Sequence, residues 1–333
     1  MSIQVIKPGL LSTFQDMGRH GQQHLGIPVS GAMDNRAHRL ANLLVGNPHD
    51  QATLEITFGG PTLQFDTPAC IALSGADLAP SVNGQPVANH RPLIVRPGDR
   101  LAFGPRQSGL RAYLAVHGGV SLPSVLHSRS TYLRGGFGGL EGRALRKGDT
   151  LALNSVLASA DLKALEDALW NIRIYLPTTL SLQQRSTLRV LRSTHTGLFT
   201  KQALHALFSE AFRVSTDSDR MGYRLQGPAL SLREPVQLLS EATSPGSIQV
   251  PADGQPIILM ADRQTTGGYA KIGHIASVDL PRVAQSMPGD TLSFSEISLD
   301  QAQALDMQRE QAFIQLHDSL APLRKALAAA IAR

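Results

Sequence analysis

LEITFGGPTLQF (54–65) and LSEATSPGSIQV (239–250) decide how this chain is to be read. Laid side by side they match Glu55 with Glu241 and Gly60 with Gly246, and the match extends outward in the same order. Upstream, IQVIKPGLLSTF (3–14) has the outline of LRVLRSTHTGLF (188–199), and DMG (16–18) answers to DRMG (219–222). Downstream, IALSGAD (71–77) parallels IILMAD (257–262), and PGDRLAFG (97–104) parallels PGDTLSFS (288–295). Ordered blocks of this kind point to an internal duplication. Within them short alternating strands recur with turn signals at spacings of roughly ten residues, the pattern of β-barrels or sandwiches.

The halves meet near 155–187, where DLKALEDALWNI has helical periodicity. MDNRAHRLANLLVGN (33–47) predicts a helix with Asp34 as cap, Leu40, Leu43 and Leu44 on its apolar face and Gly46 as stop. From Asp300 the tail places Leu305, Ala312 and Leu316 on one helical face, with Phe313 at its edge, and Pro322 kinks or breaks it. The fold expected is mainly β with a few helices: a first β domain over 1–155, a second over 156–298 and a helical tail over 299–333. The tail is expected to pack on the barrels or on a partner, since its polar face carries both signs of charge.

Composition agrees with this. Of 333 residues 42% are hydrophobic and 17% charged, with 30 Gly and 20 Pro against 5% aromatics, which suits globular domains rich in turns. The single cysteine, Cys70, lies in the apolar run ACIAL, so it reads as a small buried hydrophobe and no intrachain disulfide is possible. MSIQVIKPG begins as a strand without the basic and apolar regions of a signal peptide, so the cytoplasm is expected. No apolar stretch approaches 18 residues, and no membrane partner is expected. The formal charge of +5 comes from scattered Lys and Arg without aromatic platforms; it suits an anionic ligand or acidic partner surface and argues against nucleic acid.

Several motifs lead nowhere. No GxxxxGK[ST] phosphate loop is present, and RGGFGGLEGR (134–143) lacks GxGxxG spacing and reads as a tight loop beside a ligand or interface. HGG (117–119) has no GxSxG nucleophile to accompany it, and His117 reads as a strand-end residue. His20 and His24 sit among glycines with no third ligand, so no metal site is expected. The densest polar constellation is ADRQTTGGYAKIGHIASVDLPRVAQ (261–285), which is longer than its counterpart in the first half. Arg263, Lys271, His274 and Arg282 offer cations and donors there, and Asp262 and Asp279 offer acceptors. This mixture suits a small anionic substrate or a solvated loop whose charges pair with one another.

These stretches also resemble a known family. GQQHLGIPVSGAMDNRAHRLANLLVGN (21–47), LEITFGGPTL (54–63), SRSTYLRGGFGGLEGR (128–143), DSDRMGYRLQG (217–227) and TTGGYAKIGHIASVDLPRVAQ (265–285) are similar to signature stretches of the allophanate hydrolase subunit 2 family. The similarity runs from about residue 3 to 296. It implies two cyclophilin-like β-barrel domains. It also implies one of the family's roles: the C component of an ATP-dependent 5-oxoprolinase, an antagonist of a histidine-kinase inhibitor, or part of the carboxyltransferase region of urea carboxylase. A freestanding module without a Met-Lys-Met biotinylation motif favours the oxoprolinase role. That role implies the 5-oxoprolinase subunits A and B as partners, the substrate 5-oxoproline, and ATP in the complex at a site not located in this chain. There the lactam oxygen would be phosphorylated, water would attack the activated carbon and glutamate would form. On this reading Asp262, Lys271, His274 and Asp279 are the catalytic candidates, and Arg220, Arg263, Thr266 and Arg282 the substrate-binding ones. They are expected at a site between the barrels, with loops 117–143 meeting the B component.

Overall fold

A computed structural model describes residues 1–158, 162–181 and 187–331. Asp161, the first residue of the helix expected after 155, and Ala332 and Arg333, the last of the tail, lie outside the described residues. The chain forms two compact units. One comprises residues 1–19, 30–180 and 312–333, the other 20–29 and 181–311.

The first unit's strands are β1 (Ser2–Lys7), β2 (Leu11–Gln15), β3 (Thr53–Thr57), β4 (Thr62–Phe65), β5 (Ala69–Asp77), β6 (Pro80–Val82), β7 (Gln85–Pro86), β8 (Pro92–Val95), β9 (Arg100–Phe103), β10 (Ser108–Val116) and β11 (Thr150–Ala152). They make a six-stranded sheet in the order β11-β1-β4-β9-β6-β7 and a five-stranded sheet in the order β2-β3-β10-β5-β8. Alternation explains the layering. Ile71, Leu73, Leu114 and Val116 belong to the core that also holds Ile3, Val5, Leu63 and Leu101 of the first sheet. Their neighbours Cys70, Ala72, Tyr113 and Ala115 face a second, helical core. Strands β5 and β10 are therefore buried on both faces, which is why they read as nearly continuous apolar runs. Cys70 is fully buried and its thiol is pushed up to about 12 by that burial.

The helical core is built by α1 (Asn35–Leu44), α2 (Leu162–Asn171), the end of α5 (Leu299–Ser319) and α6 (Ala321–Ala329). Asp34 caps α1 by accepting from the Ala37 amide at 2.8 Å, and Gly46, at φ 71°, ends it. Pro322 starts α6 rather than merely bending the tail. Leu162, Leu165 and Leu169 of α2 pack with Leu316, Leu320, Leu323 and Leu327 of the tail. The helix at the halves' junction and the end of the tail thus complete the first unit, because neither amphipathic face is covered otherwise.

The second unit holds α3 (Lys201–Ser209), α4 (Leu280–Gln285) and strands β12 (Thr187–Arg192), β13 (Phe212–Val214), β14 (Gly222–Gln226), β15 (Glu241–Ala242), β16 (Ser247–Val250), β17 (Ile257–Leu259), β18 (Thr266–Gly267), β19 (Ala270–Ile275) and β20 (Thr291–Glu296). Seven strands close a barrel in the order β12-β19-β16-β17-β14-β13-β20, with β12 and β20 parallel. Leu188, Val190, Tyr223, Ile248, Ile258 and Phe294 are all buried. The pair β15–β18 forms a separate two-stranded ribbon. The repeated blocks fall largely on strands in both units, but the ladders are not copied: β1 pairs with β4 and β11, whereas β12 pairs with β19 and β20.

The glycine-rich stretch 134–143 is folded into the first unit. An added Cβ would lie 2.1 Å from the Ser130 carbonyl oxygen at Gly138 and 2.1 Å from the Gly136 backbone at Gly142. Its serine-rich lead-in is equally committed: the Asp16 carboxylate accepts from the Ser128 and Ser130 hydroxyls and the Arg129 amide at 2.5–2.8 Å. Residues 133–136 and 141 are exposed, whereas Gly138, Gly139 and Gly142 serve close packing within the chain.

Two measurements check this packing. Leu323→Ala empties a fully buried site and is expected to cost about 2–5 kcal/mol in urea unfolding; an unchanged midpoint would mean that the tail does not complete the core. His38, fully buried on α1, is pushed down to about 4 by burial, with the carboxylates of Asp16 and Glu55 pulling it partly back. Its folded value lies below the ordinary 6.5, so the unfolded chain takes the proton first as pH falls. The associated stability is full above about 6.5 and is lost toward about 4, on the order of 3 kcal/mol. The stability gap between wild type and His38→Gln should therefore shrink between pH 7.5 and 4.5, and a constant gap would contradict this.

Candidate functional site

The outward face of the β16–β19 pair carries the site. Residues opposite each other in an antiparallel ladder share a face, and the register sets Ser247 against His274 and Gln249 against Lys271. The register shifts between Ile248 and Gln249, so a bulge at Ile272 brings Lys271 and His274, three residues apart, to the same side. The interior of the barrel is apolar, which leaves this polar face to be covered by something else.

Part of the cover is the β15–β18 ribbon, where Glu241 pairs with Gly267 and Ala242 with Thr266. Gly267 lies directly over the face: a Cβ there would come within 2.6 Å of Gln249 Nε2 and 2.8 Å of Gln264 Nε2. The ribbon is fastened by charge. Lys271 Nζ donates to Glu241 Oε1 at 2.9 Å and to the Ala242 carbonyl at 2.8 Å, and His195 Nε2 lies 3.6 Å from the same Glu241 oxygen. A hydrogen bond from Lys271, helped by the charges of Lys271 and His195, holds the Glu241 carboxyl below the usual carboxylate range.

Beside the ribbon sits Arg263, 6% exposed. Among the described residues its guanidinium reaches only the Met260 carbonyl at 3.4 Å and the Thr243 carbonyl at 3.5 Å, and Nε has no partner. Burial lowers it to about 10. Gln249, 2% exposed, also leaves Nε2 without a partner. His274 is lowered by burial, then by the charges of Arg263 and Lys271, so its imidazole is neutral at pH 7. Its Nδ1 stands 3.5 Å from Ser247 Oγ, which is 3.1 Å from Ser244 Oγ.

The sequence-predicted residues divide into three groups. Arg263, Lys271, His274 and the exposed Thr266 belong to this pocket. Arg220 and Asp262 are committed to each other: both are buried, Nε and Nη2 reach the two carboxylate oxygens at 2.9 and 3.2 Å, and the Asp262 amide donates to the Arg220 carbonyl at 2.8 Å. Asp279 accepts from the Arg189 amide and guanidinium at 2.5–2.8 Å ahead of α4, and its charge, with that of Asp290, reaches Arg282 on that helix. Sequence reading did not pick out Ser247, Gln249 or His195. The alternation in SIQV places Ser247 and Gln249 on one face, but nothing in it says that a ribbon covers that face.

In the first unit Glu55, the counterpart of Glu241 in the repeat, is an internal knot. It is 1% exposed and accepts from the Tyr113 hydroxyl at 2.7 Å and the Met33 amide at 2.9 Å, with Arg111 3.8 Å away. The Tyr113 phenol, pushed well up by burial and then by Glu55 and Asp34, stays protonated. Among the described residues no group of three or more His, Cys, Asp and Glu is placed to hold a metal, and no helix is long and apolar enough to cross a membrane.

Residues 25–296 match the carboxyltransferase domain, subdomain A and B. The chain belongs to that family. Within it, the C component of the 5-oxoprolinase of Escherichia coli (strain K12) is 38% identical over 315 residues, covering 94% of this chain and 97% of that protein. The corresponding 5-oxoprolinase component of Haemophilus influenzae is 38% identical over 300 residues, covering 90% and 92%. The solved Kluyveromyces lactis urea carboxylase superposes with a TM-score of 0.85 at 30% identity, covering 95% of this chain and 29% of that larger one. The mainly β architecture with its closed barrel is therefore a carboxyltransferase-domain architecture, as the signature stretches imply.

The two ion pairs differ enough to be told apart by stability. Asp262→Ala strips the buried Arg220 of its carboxylate and is expected to cost about 3–5 kcal/mol. Lys271→Met breaks a pair whose acid is half exposed and should cost less than about 1 kcal/mol. Equal losses in urea unfolding would contradict the assignment of the first pair to architecture and the second to the ribbon.

Proposed function

We propose that this chain is the C component of an ATP-dependent 5-oxoprolinase, acting in the cytoplasm with subunits A and B to open 5-oxo-L-proline to L-glutamate. The observation that carries the reading is the 38% identity spanning 94% of this chain and 97% of the E. coli protein, so the likeness is to a whole polypeptide. The pocket supports it, since a neutral imidazole, a serine hydroxyl and two cations suit a small anionic substrate. The Gly-rich stretch 134–143 makes a poor cradle for a triphosphate, because the space beside Gly138 and Gly142 is filled by backbone at 2.1 Å. ATP is therefore assigned to the assembly, and no step on this chain is derived through it. A carboxyltransferase role is the second reading, favoured by the likeness to urea carboxylase.

The test is reconstitution with subunits A and B. Glutamate formation dependent on both ATP and 5-oxoproline is expected from the full set and not from this chain alone. Glutamate release by the isolated chain, or none from the full set together with carboxyl transfer from a biotin carrier, would overturn the reading.

A further inference from the structure

The pocket under the β15–β18 ribbon contains more donor capacity than the protein uses. Arg263 is a buried cation without a carboxylate partner among the described residues, its carbonyl contacts are at the long limit for hydrogen bonds, and Nε is unsatisfied. Gln249, still more buried, presents an amide nitrogen with nothing to donate to. A buried guanidinium without an acceptor is strongly disfavoured, and an unmade buried donor adds to the cost. Gln249 Nε2 and Thr243 both abut Gly267, and Arg263 reaches the Thr243 carbonyl, so the two groups border one another's neighbours and mark a place where an acceptor belongs.

The surroundings define that acceptor. Lys271 stands opposite Gln249 in the ladder, and Ser247 and His274 complete the face. The carboxylate at the pocket's edge, Glu241, is bound by Lys271 on the half-exposed ribbon. The Met260 and Thr243 carbonyls stand next to the Arg263 guanidinium, its charge reaches the neutral His274 imidazole, and the neighbouring Asp262 carboxylate is taken up by Arg220. A metal cation would meet Arg263 and Lys271 and be repelled. An apolar ligand would leave the donors as unsatisfied as before. A compact anion with two or more acceptor oxygens answers both deficits, since guanidinium and amide N–H groups donate to such oxygens in parallel.

We propose that Arg263 and Gln249, with Lys271 at the rim, form a binding site for one small oxyanion under the ribbon. The chemistry is shared by the carboxylate of 5-oxoproline and by inorganic oxyanions such as bicarbonate and phosphate. Assigning the anion to the substrate rests on the proposed function; the existence of the site does not.

Calorimetric titration of the full chain, without partner proteins or ATP, tests this with 5-oxo-L-proline, its uncharged carboxamide, bicarbonate and inorganic phosphate as separate probes. Saturable one-site binding of at least one anion is expected, weakened tenfold or more in Arg263→Gln and in Gln249→Glu. The latter keeps the side-chain shape and supplies a usable readout if the former does not fold. Arg106→Ala, in the first unit, should leave binding unchanged. If 5-oxoproline binds and its carboxamide does not, the anion is the substrate's carboxylate; if bicarbonate or phosphate alone binds with the same variant dependence, the site takes an inorganic oxyanion. No binding of any probe, or binding unaffected in the folded variants, overturns the proposal. Variants that lose binding while the assembled enzyme keeps its turnover sink only the assignment of the anion to the substrate, and binding without turnover sinks only the oxoprolinase reading.

Discussion

The site on the second unit's barrel depends on one fork of hydrogen bonds. Arg220 and Asp262, both buried, face each other through two parallel contacts and a third between their backbones. A pair of this kind gives little net stability over apolar residues, because desolvation offsets the attraction. What it fixes is geometry: the loop leaving β17 is tied to the loop entering β14, and the residue after Asp262 is Arg263. A fully committed carboxylate thus stands next in sequence to a buried cation whose donors are hardly used.

Duplicated sequence has been put to two physical uses. Glu55 is sealed among Tyr113, Arg111 and the Met33 amide, and it ties the start of α1 to the central strands of the first unit. Glu241 lies on a two-stranded ribbon, half exposed, and ties that ribbon to Lys271. The same acidic side chain is an internal brace in one unit and a surface fastener in the other. The difference lies in cover: Glu55 is buried with Tyr113 under the helical layer, whereas Glu241 lies half exposed on the ribbon itself.

Much of this was legible in the chain itself. Short alternating strands, the Asp34 cap, the Gly46 stop and the Pro322 break are local signals, and each appears where its chemistry requires. The ladder order and the joining of α2 and the tail to the first unit's core were not legible, because they depend on which apolar faces meet. The site was half legible. Composition drew attention to Arg263, Lys271 and His274, yet it could not separate them from Arg220, Asp262, Asp279 and Arg282, since charges that hold the barrel together and charges that face the ribbon look alike in sequence. Gln249 and Ser247 were invisible for the opposite reason: a polar residue facing outward on a strand is ordinary until something buries it.

Likeness to a carboxyltransferase domain and to 5-oxoprolinase components places the chain among proteins whose names concern small amide and carboxyl compounds, and a pocket with surplus buried donors is compatible with either chemistry. The most direct measurement is nuclear magnetic resonance of the side chains themselves, following the Arg263 Nε–Hε and the Gln249 amide signals as 5-oxo-L-proline, bicarbonate or phosphate is added to the labelled protein. Both signals are predicted to move together, saturably and with one common affinity, as the two orphaned donors acquire the same acceptor. Signals that stay fixed with every probe, or that move independently of each other, would contradict a shared oxyanion site.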